Sequence, residues 1–191
     1  MDPTLLIILG VIAVIAFAAI GIYNGLVQLS VKVDEGWADI ETQLKRRYDL
    51  IPNMVETVKG YAKHEKGTLE GVTKARNMAM GATGPEQKAQ AEGMLTGALK
   101  TLFAVAENYP DLKANQNFMD LQATLKEVEE HLQLSRRYYN ATVRDFNTKV
   151  MVFPNNIFAG MLGFVKRQFF EITNAEEREN VKVSFEDKAE K

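Results

Sequence analysis

Hydrophobic and polar positions follow two regimes along this chain. From Leu5 to Tyr23 the run LLIILGVIAVIAFAAIGIY carries no charged or strongly polar side chain. Wound as an α-helix, that run reaches ~28 Å, close to the ~30 Å hydrocarbon thickness of a bilayer. Backbone groups in lipid are satisfied only within their own segment, so a single spanning helix is the expected form. Beyond Tyr23 the apolar positions become one-sided: Val33, Trp37, Ile40 and Leu44 recur every three to four residues, the period of a helix with one buried face. A second stripe runs through Ile51, Met54, Val55, Val58, Tyr61, Ala62, Leu69, Val72, Ala75 and Ala79. A third runs from Ala91 to Ala106 and a fourth from Phe118 to Val150.

Breakers separate the stripes. In KRRYDLIP, Pro52 restricts the residue before it and Asp49 can cap a new helix, so a tight hairpin is expected at Tyr48–Pro52. A kinked but continuous helix is the alternative. Gly81 and Gly84-Pro85 end one helix and start the next, and Tyr109-Pro110-Asp111 divides the third from the fourth. The expected fold is all-α: an N-terminal transmembrane helix (1–23), then an antiparallel up-down four-helix bundle within 24–171. Four antiparallel passes return the chain to the membrane end, where 153–170 is apolar, glycine-containing and too short to span. Two readings of that piece stand side by side: an interfacial segment with Lys166 and Arg167 at phosphate level, or a cover over the open end of the bundle. Residues 172–191 are charge-dense and poor in apolar residues, the composition of a disordered tail.

Composition narrows the function. A net charge of −2 gives no field for nucleic acid, and the absence of cysteine removes disulfides, thiolate catalysis and cysteine-ligated zinc. It also excludes a lipidated cysteine anchor. A cleaved signal peptide would need a basic flank and a shorter apolar core; neither Lys nor Arg occurs before Lys32, so a retained anchor is expected. The same asymmetry puts the N-terminus outside and the body in the cytoplasm.

No residue set reads as a reagent. His64 lacks the second histidine of an H-E-x-x-H helix, and Glu127-Val128-Glu129-Glu130 lacks the histidine of a di-iron bundle. Catalytic, cofactor and metal residues are therefore expected to be none. The candidate interaction residues are basic: Lys45, Arg46 and Arg47 at the end of a predicted helix, the Arg136-Arg137 pair, and Lys166-Arg167. The first cluster is equally suited to a helix C-terminus, where the macrodipole favours cations. Gly21 and Gly25 form a lone G-x-x-x-G at the end of the anchor, a spacing that lets membrane helices approach but is also common in such helices.

Several separated blocks carry a family resemblance: WADIETQLKRRYDLIPNMVETVKGYAKHE (37–65), AENYPDLKANQNFMDLQ (106–122), RRYYNATVRDFN (136–147) and FPNNIFAGMLGF (153–164). Together they resemble the LemA family, and in part its magnetosome members. The resemblance implies a bacterial inner-membrane protein with an outward N-terminus, a helical body and no enzymatic activity. The expected partners are membrane lipid, an unidentified protein and further copies of the chain, with no cofactor. The expected role is interaction or self-assembly at the membrane, with a membrane-shaping or sensory module that inserts 153–170 as the first alternative and a metal-dependent enzyme, built on a carboxylate-rich bundle, as the less favoured one.

Overall fold

A computed structural model describes residues 2–171; the tail expected over 172–191 lies outside them. All regular structure among the described residues is helical, in the order α1 (Pro3–Tyr61), α2 (Lys66–Gly81), α3 (Gly84–Ala106), α4 (Pro110–Lys113), α5 (Gln116–Met151) and α6 (Asn155–Met161). The Asp2 side chain accepts from the Thr4 N–H at 3.1 Å and caps α1. The first third of α1 has no buried residue: its most apolar window has a mean hydropathy of 3.1 and none of it is buried. By length and composition this is a helix able to cross a membrane.

The hairpin expected at Tyr48–Pro52 does not form. α1 is one helix of 59 residues with Pro52 inside it, so its length is about 88 Å. Proline removes the bond its N–H would have made to the Tyr48 carbonyl. Arg76 of α2 replaces that donor, with its Nε 2.8 Å from the Tyr48 oxygen. The break falls instead at Ala62–Glu65, inside the stripe read as one helix, and Ala62 leaves helical geometry (φ −115°, ψ 58°) just after Gly60.

Contacts give the order of the passes. Along α1 and α5, Gly36 faces Tyr138 and Tyr139, Arg47 meets Glu129, and Tyr61 meets Asn115; rising numbers on one helix meet falling numbers on the other. α2 folds back until Ala79 reaches Tyr48. Gly84, at φ +74°, makes the turn into α3, a backbone region open to glycine. α3 then passes Glu92 and Thr96 beside Arg47 and ends near the tip, where Tyr109 bonds Glu65.

The α2–α3 hairpin therefore reaches only to about Arg47. The half of the body near the apolar run is built from α1 and α5, with α6 and 164–171 laid over them. Gly163, at φ +76°, turns the chain out of α6, and 164–171 continues without helix as a strap along α5. The core joins Ile40, Leu44, Ile51, Met54 and Val58 of α1 to Val72, Leu95, Leu102, Val143 and Phe146, and the strap's Phe170 is buried with them.

Candidate functional site

Among the described residues of the body, polar side chains gather in three places. The first is the junction where the α2–α3 hairpin ends. Arg47 and Glu92 are both buried, 3% and 0% exposed, and meet at 2.7 Å. Arg47 also donates to the Thr96 hydroxyl at 2.9 Å and lies 3.3 Å from Glu129. The Tyr48 hydroxyl donates to the other Glu92 oxygen and reaches the Ala79 carbonyl at 3.3 Å. Adjacent residues on α1 thus grip one carboxylate from α3. Burial raises the Glu92 carboxyl above its ordinary value against the opposing pull of Arg47 and Tyr48. Burial, then the Glu92 charge, pushes the Tyr48 phenol up. Both Glu92 oxygens are occupied within the protein, so the arrangement is a lock between helices.

The second place is the strap. Asn147 donates to the Arg167 carbonyl at 2.9 Å and accepts from the Arg167 N–H at 2.8 Å. Asn140 does the same for Phe170 at 3.0 and 2.9 Å. Each amide thus satisfies one strap residue's backbone as a neighbouring strand would. Seven residues of helix rise ~10.5 Å and three residues of extended chain span ~10 Å, so the two asparagines match positions 167 and 170 in step. The Tyr139 hydroxyl adds a bond to the Gln168 carbonyl at 2.8 Å. Trp37 packs against the Tyr139 and Phe170 rings at 5.5 and 5.9 Å.

The third is an open groove of about 1070 Å³ between the end of α1 and α2. Val55, Leu69 and Met78 give it apolar lining, and Lys59, Lys63, Lys66 and Lys74 stand around it with Glu56 and Glu70. Lys59 is engaged with Glu56 at 3.0 Å.

The basic residues singled out by sequence separate accordingly. Lys45 is exposed and paired with Asp49 at 2.8 Å, and Arg46 is exposed, but Arg47 is buried and points inward to the lock. Arg136 is half-buried and Arg137 exposed, midway along α5. Lys166 is exposed, while Arg167 turns back to Asp34 at 3.3 Å and Ser30 at 3.2 Å. Gly21 has open space around it, but the position a Cβ would take at Gly25 lies 3.7 Å from Lys149 of the same chain. The G-x-x-x-G is thus half engaged within the protein. His64 is exposed and His131 lies 3.8 Å from Glu127 on the surface; among the described residues no three His, Asp or Glu side chains converge as metal ligands would.

Sequence reasoning missed Glu92 as a paired partner and missed the lysine groove. Glu92 carried a signal: in the stripe Ala91, Leu95, Leu99, Leu102 a carboxylate falls beside the apolar face. The groove carried none, because its lysines come from α1, from α2 and from the unforeseen break between them.

The LemA family model matches residues 36–185. Protein LemA of Metamycoplasma hominis is 28% identical over 170 residues, covering 86% of this chain and 76% of the relative. Magnetosome protein MamQ 2 of Paramagnetospirillum magneticum is 24% identical over 194 residues, covering 87% and 71%. Magnetosome protein MamQ of Magnetospirillum gryphiswaldense is 21% identical with the same coverage. With a family match across most of its length, from the first body stripe past the strap, the chain belongs to the LemA family.

Proposed function

We propose that this chain is a non-enzymatic, single-pass membrane protein whose body, an antiparallel bundle of four helices in its distal half, binds partner proteins at the membrane surface. The observation that carries the reading is the continuity of α1. A single helix forms both the apolar run and the longest member of the body, so the tip is held at a set height from the bilayer. The buried Arg47–Glu92 pair supports the same reading, because it joins helices to one another. The names of the relatives describe a family and magnetosome proteins rather than a reaction.

The distal groove is where we place the partner. Its apolar lining and lysine rim suit an acidic segment with an apolar face. Lys32 and the basic residues after it all follow the span, which supports a cytoplasmic body in an inner membrane with the N-terminus outside.

The test is photo-crosslinking from the full-length protein in its own membranes, with the probe at Lys63 or, as a control, at exposed Leu134 on α5. The reading predicts discrete adducts from Lys63 that disappear when Lys66 and Lys74 are changed to Glu. Equal adducts from both sites, insensitive to those changes, contradict it.

A further inference from the structure

In α6 large apolar side chains stand on the side turned away from the body. The side that meets the body presents Asn155 and Ala159, both buried. The side that faces away presents Ile157 and Met161 at 52% and 80% exposure, with Phe153 of the preceding turn at 79% and Val165 at 72% just beyond. Leu162, Val152 and Met151 extend the patch. A helix packed on a water-facing body shows its polar side outward, and a contiguous apolar surface of this kind marks a partner.

The position of the patch names the partner. α1 and α5 pass with Gly25 beside Lys149, so two further residues on each bring the end of α5, Met151, level with Tyr23. Tyr23 is the last residue of the apolar run. From the other side, the Phe164 ring lies 6.2 Å from the Tyr23 ring and 6.3 Å from Phe146. The turn at 152–154, α6 and the start of the strap therefore sit at the height where the spanning helix leaves the lipid. Exposed Lys166, and Lys149 lying across Gly25, are cations at that same height, where phosphate groups would be met.

We infer that α6 and the turn before it lie in the lipid interface, with the stripe Phe153, Ile157 and Met161 at the boundary of headgroup and acyl chain. The body is then tethered by its span and also seated on the membrane, with α6 as a foot. This rests on the membrane-anchored reading above and adds a second lipid contact that tethering alone does not require.

Absence of cysteine allows single-site labelling of the full chain. Ile157→Cys, Met161→Cys, Leu134→Cys and Ile12→Cys, each carrying a polarity-sensitive fluorophore, are reconstituted into vesicles of zwitterionic and anionic phospholipid. Quenching is read with lipids bearing a nitroxide near the glycerol backbone and with aqueous iodide. The inference predicts lipid quenching several-fold stronger at 157 and 161 than at 134, with a blue-shifted emission. Quenching of 157 by iodide to the same extent as 134, with lipid quenching retained at 12, overturns the foot and leaves the anchor standing. Protection of 157 from both quenchers overturns it in favour of contact between copies. Loss of lipid quenching at 12 as well removes the anchored reading itself.

Discussion

Arg76 Nε lies 2.8 Å from the carbonyl oxygen of Tyr48, the oxygen that Pro52 leaves without its helical donor. This bond explains how a proline sits inside a long helix and why the α2–α3 hairpin docks at that height. Arg76→Ala strands a part-buried carbonyl, at an expected cost of about 1–3 kcal/mol. In a Pro52→Ala background the new N–H serves Tyr48 and the same change costs less. Denaturant unfolding of the four proteins in detergent checks the coupling; equal losses in both backgrounds would refute it.

The Arg47–Glu92 pair is expected to show the asymmetry of buried charges. Removing one partner, as in Arg47→Ala, leaves a carboxylate in the core and costs about 3–5 kcal/mol, whereas Arg47→Met with Glu92→Met is close to neutral. Thermal melts of the single and double variants decide it. A double variant as unstable as the worse single would show that the lock's geometry matters more than its charge.

Glu92 also predicts a pH dependence. Its carboxyl is raised above 4.5, burial first. A carboxyl with a raised folded value holds its proton more tightly in the folded state. Its contribution is therefore fully present below its unfolded value and is lost as pH rises through the raised one. The stability difference between wild type and Glu92→Gln should fall as pH is increased from 4.5 and then level off. A difference that grows with pH would reverse the assignment.

At the strap, Asn147→Asp and Asn140→Asp keep the acceptor but lose the donor to the Arg167 and Phe170 carbonyls. Each is expected to cost about 1–3 kcal/mol. Hydrogen exchange should speed at residues 165–171 with α2 unchanged. Uniform acceleration throughout the body would mean that the strap is no separate unit.

Gly36 lets α1 and α5 close on each other. A Cβ there would meet the Tyr139 Cα and Tyr138 Cδ1 at 3.2 Å, so Gly36→Ala is expected to destabilise by about 1–3 kcal/mol. Gly60→Ala, with open space around it, should not destabilise. Matched melting temperatures for the two would contradict the close approach.

Much of the architecture was legible from periodicity. The apolar run, the α3 stripe and the α5 stripe are plain because each lies on one unbroken helix. The hairpin at Tyr48–Pro52 was misread because the remedy for Pro52 comes from Arg76, and no local rule reports a donor supplied from another helix. The break at Ala62–Glu65 lacks proline and was covered by a continuous apolar stripe. Arg47 read as one of three surface cations because its burial depends on Glu92, 45 positions away. The two-sided nature of 153–170 was hidden for the same reason: Asn140 and Asn147 take the strap's backbone, while Phe153, Ile157 and Met161 stay outside.

The central claim is that one continuous helix joins the apolar run to the tip. Spin labels at Glu41→Cys and Lys59→Cys, exposed positions eighteen residues apart on α1, test it by pulsed electron resonance in nanodiscs. A continuous α1 places their backbones about 27 Å apart. A hairpin at Tyr48–Pro52 would lay them side by side at about 10 Å, the spacing of packed helices, and would contradict it.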